Sequence, residues 1–206
     1  GAGVCVCGVG EFLVDSTKFI VASTAGVVVL ASPSWVPFLY IIAATLNAVL
    51  AKALKKIIRE PRPFPEVHDG YGMPSSHAQS IYFFLTALWA ETLRISPLSP
   101  PLVLGMSLLT AYLVAASWAR VTLKYHTAAQ TAVGAAVGAA VGTLTHAALR
   151  GEVPVLGWAV DGFQIALPEA LGASPALAGK ILLLSSAAAV LYGTELKKAA
   201  KRKIKA

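Results

Sequence analysis

Long runs of apolar residues, separated by short polar segments, dominate the hydrophobic pattern of the chain. Residues 19–51, 95–119 and 125–149 contain no Lys, Arg, Asp or Glu. Each run is at least as long as the roughly 20 residues that a helix needs to cross the hydrocarbon core of a bilayer. The pattern therefore predicts transmembrane helices rather than the half-polar elements of a soluble domain.

Prolines and charged residues divide the runs into six predicted spans. The spans cover residues 19–31, 38–54, 76–95, 102–123, 126–149 and 176–196. Pro33 and Pro37 separate the first two, because proline removes a backbone donor and clashes with the preceding helical turn. Residues 60–75 hold four prolines and two glycines, so we expect a structured loop there. The prediction is an all-α integral membrane bundle of about six transmembrane helices, forming one domain over residues 1–206.

Composition and charge placement agree with a membrane protein. Hydrophobic residues make up 56% of the 206 residues and charged residues only 13%, against about 25% charged in soluble domains. The net charge of +7 does not indicate nucleic acid, because the basic residues lie in short segments between spans and in the tail 197–206. With six spans, all but three of the 17 Lys and Arg fall on one face. That face is predicted to be cytosolic or stromal.

Three short segments on this basic face carry chemistry that is unusual for a membrane protein. They are Lys55-x6-Arg62-Pro63, Pro74-Ser75-Ser76-His77 and Arg120-x5-His126-x3-Gln130. Together they supply three permanent cations, two hydroxyls and two imidazoles in one interfacial layer. The sequence shows no acidic pair or Cys/His cluster of the kind that holds a metal. The segments therefore predict an anion site, with phosphate as the leading ligand and with no metal or cofactor.

The second segment is placed at the start of the third span. Ser76 and Gln79 fit the S-x-x-Q capping box that marks a helix N-terminus. Helix N-termini expose free N–H groups and bind phosphate. A cap accounts for the serines but not for His77 in the first turn, which favours a functional role.

The third segment is placed at the start of the fifth span, with His126 as its first residue and Gln130 one turn later on the same face. Small residues continue this face at steps of four, at Gly134, Gly138 and Gly142. Small residues at this spacing let a neighbouring helix pack closely. We therefore expect the stripe to face the bundle interior and to direct His126 inward.

Two further histidines are weaker candidates for a functional role. His146 lies 20 residues after His126, which is about 30 Å along a helix, so we interpret it as a buried or interfacial residue near the far side. His68 stands beside Asp69 in the proline-rich loop. It is either a residue that gates substrate access or a solvated loop residue.

Taken together and in this order, the three segments resemble the type 2 phosphatidic acid phosphatase superfamily, whose pattern is KxxxxxxRP, PSGH and SRxxxxxHxxxD. The resemblance covers residues 55–130. Residues 72–80 and 118–138 resemble two branches in particular. One is the dolichyl diphosphate phosphatases of the endoplasmic reticulum. The other is the plastid lipid phosphate phosphatases of the gamma and epsilon type, to which Trp118-x-Arg120-Val121 and the following Lys124-x-His126-Thr127 look closer.

The resemblance implies a role for each matching residue. His126 would be the nucleophile that forms a phosphohistidine, and His77 would protonate the leaving oxygen. The phosphoryl oxygens would be held by Lys55, Arg62, Ser75, Ser76 and Arg120. The implied enzyme is a metal-independent membrane phosphatase that acts on phosphatidate or an isoprenyl (di)phosphate, with membrane lipids as its surroundings. The implied location is the plastid envelope or, alternatively, the endoplasmic reticulum membrane.

The chain departs from the family pattern at three positions. Ser76 replaces glycine, Ala119 replaces serine and Gln130 replaces aspartate. Glutamine can accept a hydrogen bond from the histidine Nδ1–H but brings no charge, and in a serine-protease triad the comparable loss of a carboxylate costs about 10⁴-fold in rate. The alternative is therefore a non-catalytic membrane subunit or lipid-binding protein with a degenerate site. The sequence leaves the substrate and the oligomeric state open.

Overall fold

The computed structural model describes residues 36–64, 70–95 and 97–151, together with the isolated Phe12 and Gly162. This part of the chain forms four helices: α1 (Val36–Ile58), α2 (Ser76–Ile95), α3 (Pro100–Thr122) and α4 (Ala128–Leu149). They correspond to the second to fifth predicted spans, which confirms the all-helical architecture for the described ranges. The predicted first and sixth spans, the basic tail and His68 lie outside the described residues.

Helices α1, α3 and α4 are long and apolar enough to cross a membrane, whereas α2 is not among them. The more polar α2 contacts each of the other three helices. Its buried residues, Ala78, Gln79, Ile81, Phe83, Leu85 and Ala87, lie on most sides of its axis. A helix enclosed by protein can carry polar groups because they find partners inside the bundle, whereas a lipid-facing helix cannot. The composition of α2 therefore reflects its central position.

Helix α4 packs closely on α2 through its stripe of small residues. Gly134, Gly138 and Gly142 are all buried. A Cβ atom on any of them would overlap α2 or the residue before it: Gly134 meets the Ser75 carbonyl, Gly138 the Gln79 carbonyl and Gly142 the Phe83 carbonyl. This contact confirms the predicted close approach along the stripe, and it fixes the start of α2 against the start of α4.

Helix α2 begins at Ser76, as predicted, but its capping differs from the prediction. The capping box expected at Ser76 and Gln79 is wrong: the Ser75 Oγ accepts the Ala78 N–H at 3.5 Å. The Gln79 Nε2 donates instead to the Asn47 Oδ1 at 2.7 Å. Both amides are buried, and a buried amide needs a partner. Gln79 therefore joins α2 to α1 rather than closing its own helix.

A capping box does form at α4, where the sequence interpretation placed none. Thr127 is the N-cap, its side chain accepts the Gln130 N–H, and the Gln130 side chain accepts the Thr127 N–H. Helix α4 accordingly begins at Ala128, and the prediction that His126 is its first residue is wrong. Because His126 precedes the cap, its contact with Gln130 does not follow from helical spacing.

A polar cluster lies at the end of the bundle opposite to the starts of α2 and α4, and it joins three helices. The Tyr40 hydroxyl of α1 lies 2.9 Å from the Nδ1 of His146, which is buried in the last turn of α4. Glu91 of α2 forms ion pairs with Arg94 and with Arg150, the residue that follows α4. The buried far-side position predicted for His146 is confirmed.

Candidate active site

The three sequence segments meet at the other end of the bundle. Lys55 lies in the last turn of α1, His77 in the first turn of α2 and Arg120 in the last turn of α3. His126 stands in the link between α3 and α4. The Ser75 N–H donates to the Gln130 carbonyl at 2.9 Å, which holds the starts of α2 and α4 side by side.

A tight turn after α3 positions His126. The backbone N–H groups of Tyr125 and His126 both donate to the Arg120 carbonyl, at 3.0 and 3.1 Å. Lys124 has a φ of 59°, in the left-handed region that non-glycine residues seldom adopt. The turn reverses the chain within five residues, so the imidazole comes to lie beside the end of the helix that carries Arg120.

The hydrogen bonds of Gln130 determine the tautomer of His126. The Gln130 Oε1 lies 3.1 Å from the His126 Nδ1 and 3.2 Å from the Thr127 N–H. Its Nε2 donates to the Pro61 carbonyl at 2.8 Å. A backbone N–H can only donate and a backbone carbonyl can only accept, so the amide has one orientation. The His126 Nδ1 therefore carries the hydrogen, and Nε2 is the nitrogen with the free lone pair.

Burial keeps this imidazole neutral. Only 2% of His126 is exposed, and this desolvation is the largest cause that lowers its pKa from 6.5 to about 4. The hydrogen bond with Gln130 acts in the opposite direction, while the charges of Arg62, Arg120 and Lys55 lower the pKa further. At neutral pH the residue is thus an uncharged imidazole among positive charges.

Two arginines surround the turn that carries His126. The Arg62 Nη1 lies 3.5 Å from the Tyr125 carbonyl oxygen, and the Arg120 guanidinium lies over the Tyr125 ring, 4.6 Å from its centroid. The Nε of Arg62 is buried and makes no hydrogen bond within the described ranges. A buried guanidinium N–H of this kind is suited to an oxyanion.

The serines differ in their surroundings. Ser75 is fully buried, with its N–H and Oγ both used to set the start of α2. Ser76 and His77 are half-buried in the first turn. The structure therefore brings all eight predicted site residues to one end of the bundle, and it gives Ser75 a structural contact as well.

Two contacts at this end were missed by the sequence interpretation. The Glu60 Oε1 accepts a hydrogen bond from the Gln130 Nε2 at 2.8 Å. The Gly72 N–H donates to the Glu60 carbonyl at 2.7 Å, and a Cβ on Gly72 would overlap the Gln130 amide. Glu60 occupies a position that the pattern of the first segment leaves unspecified. The sequence did offer one signal for Glu60, because it is an acidic residue in an otherwise basic segment.

Comparison with known proteins gives consistent matches. Residues 35–153, more than half of the chain, match the PAP2 superfamily. Lipid phosphate phosphatase epsilon 2, chloroplastic, of Arabidopsis thaliana is 34% identical over 157 residues, which are 73% of this chain and 53% of that protein. Dolichyldiphosphatase 1 of Rhinolophus ferrumequinum is 38% identical over 98 residues, 41% of each protein. The chain spans about half or less of these relatives' length, and no solved structure gives a significant match.

Proposed function

The chain belongs to the PAP2 superfamily, and we propose that it is a membrane lipid phosphate phosphatase that works through a phosphohistidine on His126. The observation that carries the proposal is a buried, neutral imidazole whose Nδ1–H is held by Gln130. Its remaining nitrogen is nucleophilic, and the cations around it are suited to a phosphoryl group. The relatives' names, which specify lipid phosphates and a dolichyl diphosphate, support the substrate class.

The proposed reaction has two steps. In the first, the His126 Nε2 attacks phosphorus, the bond from phosphorus to the lipid oxygen breaks, and His77 donates a proton to that oxygen. In the second, water attacks phosphorus, the phosphorus–nitrogen bond breaks, and His77 takes the proton from the water. Lys55, Arg62 and Arg120 stabilise the charge on the transferring group in both steps.

The substrate is proposed to be phosphatidate or an isoprenyl (di)phosphate, whose tail stays in the bilayer beside the apolar helices. The site lies at one end of three helices that are long enough to span a membrane, so a head group at the interface can reach it while the tail remains in lipid. The chloroplastic relatives favour the plastid envelope. The dolichyldiphosphatases leave the endoplasmic reticulum membrane as the alternative.

Phosphate release from a panel of detergent-solubilised lipid phosphates and diphosphates tests the proposal. We expect His126→Ala to reduce release by at least about 10³-fold, and His146→Ala, at the far end, to retain the activity per folded protein. Acid-labile phosphoenzyme should be trapped in the wild type and absent from His126→Ala. A folded wild type that releases no phosphate from any lipid would favour the non-catalytic alternative.

Chelation and vanadate test the proposed metal independence. The three cations supply the charge stabilisation that a metal would otherwise supply, so we expect activity to survive EDTA. Vanadate should inhibit, because it mimics the five-coordinate phosphoryl state. Loss of activity in EDTA with recovery in magnesium would show that the proposed chemistry is wrong.

A further inference from the structure

We propose that Glu60 is a positioning residue that acts on His126 through Gln130. The proposal rests on the proposed phosphatase function and extends it to a residue with no role in the three-segment pattern. The contact chain runs from the Glu60 carboxylate to the Gln130 Nε2 at 2.8 Å. It continues from the Gln130 Oε1 to the His126 Nδ1 at 3.1 Å.

Gln130 is fully buried, and its hydrogen-bonding capacity is completely used. The two lone pairs of Oε1 accept from His126 and Thr127, and the two hydrogens of Nε2 go to Glu60 and the Pro61 carbonyl. Rotation of the amide would break all four bonds. The His126 ring is therefore held by a group that is itself held by the loop after α1.

Glu60 adds something that the Pro61 carbonyl does not, which is a negative charge. A hydrogen bond to a carboxylate is roughly twice as strong as one between neutral groups. It also polarises the amide, so that the oxygen facing His126 becomes a better acceptor. When His126 attacks phosphorus its ring becomes positive, and the charge of Glu60 lies one amide away. The carboxylate thus favours the transition state over the resting imidazole.

The Glu60 carboxylate hydrogen-bonds to the Gln130 amide although it lies at the basic end of the bundle. Within residues 36–64, 70–95 and 97–151, the ion pairs all involve Glu91 at the other end. The backbone of Glu60 is fixed as well, because its carbonyl accepts the Gly72 N–H at 2.7 Å. The loop therefore presents Glu60 to Gln130 in one place.

Kinetics of five variants test the proposal. We expect Glu60→Ala to lower kcat by about 10- to 100-fold, with much less change in KM. Glu60→Gln should fall between Glu60→Ala and the wild type, because it keeps an acceptor oxygen and loses the charge. If Glu60 acts only through Gln130, the double variant Glu60→Ala/Gln130→Ala should be no slower than Gln130→Ala. Glu91→Gln is the matched control and should keep the wild-type kcat.

A readout independent of turnover separates this proposal from the phosphatase assignment. In protein labelled with ¹⁵N-histidine, the Nδ1–H proton of His126, assigned by its loss in His126→Asn, should move upfield and exchange faster in Glu60→Ala. An unchanged resonance together with a wild-type kcat would overturn the role of Glu60. So would losses that multiply in the double variant. A wild type without phosphate release, in which the resonance still responds to Glu60→Ala, would instead refute the proposed function alone.

Discussion

The described part of the chain contains two carboxylates, Glu60 and Glu91, and they lie at opposite ends of the same bundle. Glu91 forms ion pairs with Arg94 and Arg150. Glu60 lies at the more basic end and yet hydrogen-bonds to the neutral amide of Gln130. At one end the carboxylate pairs with arginines, and at the other it hydrogen-bonds to an amide instead.

The difference separates the source of stability from the source of the proposed activity. The far-end ion pairs and the Tyr40–His146 contact join α1, α2 and α4, so they stabilise the fold. At the near end, Lys55, Arg62 and Arg120 all act electrostatically on His126, and Lys55 also interacts with both arginines. Cations held close together repel one another. A bound phosphate would relieve that repulsion, which is what the proposed function requires of this end.

The largest expected effect in this comparison comes from replacing one arginine at each end with alanine. Arg62→Ala should lower kcat/KM by about 10²- to 10³-fold, because it removes a donor to the transferring group. Its Tm should stay the same or rise, since one repelling cation is gone. Arg150→Ala should show the reverse, with activity retained and a lower Tm.

Phosphate release at saturating and limiting lipid, with thermal unfolding of both variants, measures this contrast. The comparison between the two ends would break if Arg150→Ala lost activity in proportion to Arg62→Ala while remaining folded. It would also break if Arg62→Ala lost stability and kept its turnover.

A smaller loss is expected from the glycine that lies against Gln130. A methyl group on Gly72 would overlap the Gln130 amide, which its four hydrogen bonds keep from moving freely. We expect Gly72→Ala to lower kcat by about 10-fold or more, as a displaced amide misplaces the nucleophile.

Gly105→Ala is the matched control, because nothing lies within 4 Å of its added Cβ and alanine favours a helix interior over glycine by about 1 kcal/mol. It should leave kcat unchanged. Wild-type kcat in Gly72→Ala would mean that the Gln130 amide can shift without consequence, which would also weaken the case for Glu60.

The next expected effect is a shift in the pH at which kcat/KM falls on the acid side, rather than a loss of activity. Because the pKa of His126 is lowered to about 4, the proposed nucleophile stays neutral well below pH 6, and kcat/KM should fall only as the pH approaches that value. Arg62 helps to lower this pKa, so Arg62→Ala should raise it and move the limb to higher pH. An unmoved limb would show that Arg62 does not act on His126.

The same shift has a consequence for folding. In the unfolded chain the His126 pKa returns to 6.5, so the unfolded state binds more protons than the folded state between pH 6.5 and about 4. The stability of the folded protein therefore decreases as the pH falls through this window. Unfolding midpoints across the window, compared with those of His126→Asn, measure this contribution.

The sequence predicted the helices and the gathering of the site well, because both depend on local signals. Apolar runs and prolines placed α1 to α4 within a few residues of their bounds. The three segments fall at the links from α1 to α2 and from α3 to α4, which lie at the same end of the bundle. The stripe of small residues predicted the α2–α4 contact correctly, since close approach requires the absence of side chains.

Long-range polar contacts were not predictable from spacing. Gln79 fits a capping box, but its partner is Asn47 on another helix. The contact of Gln130 with His126 was expected. The hydrogen bond from Gln130 to Glu60 was not, because it joins residues 70 positions apart. Such pairs depend on where the loop after α1 lies relative to α4, and only the folded chain determines that. The capping box at Thr127 is the exception, because a local signal was present and was missed.

The smallest expected effect on activity belongs to Glu91. Glu91→Gln removes the charge that pairs with Arg94 and Arg150, and it leaves every proposed site residue in place. Because Glu91 is partly exposed, we expect a loss of about 1 to 3 kcal/mol in unfolding free energy and a wild-type kcat. Thermal unfolding and phosphate release on the same preparation measure both. The counterpart is Glu60→Gln, for which we expect a lower kcat and little change in Tm. Since both substitutions remove the same charge from the same bundle, a shared outcome in stability and in turnover would show that the two ends are not separated in function.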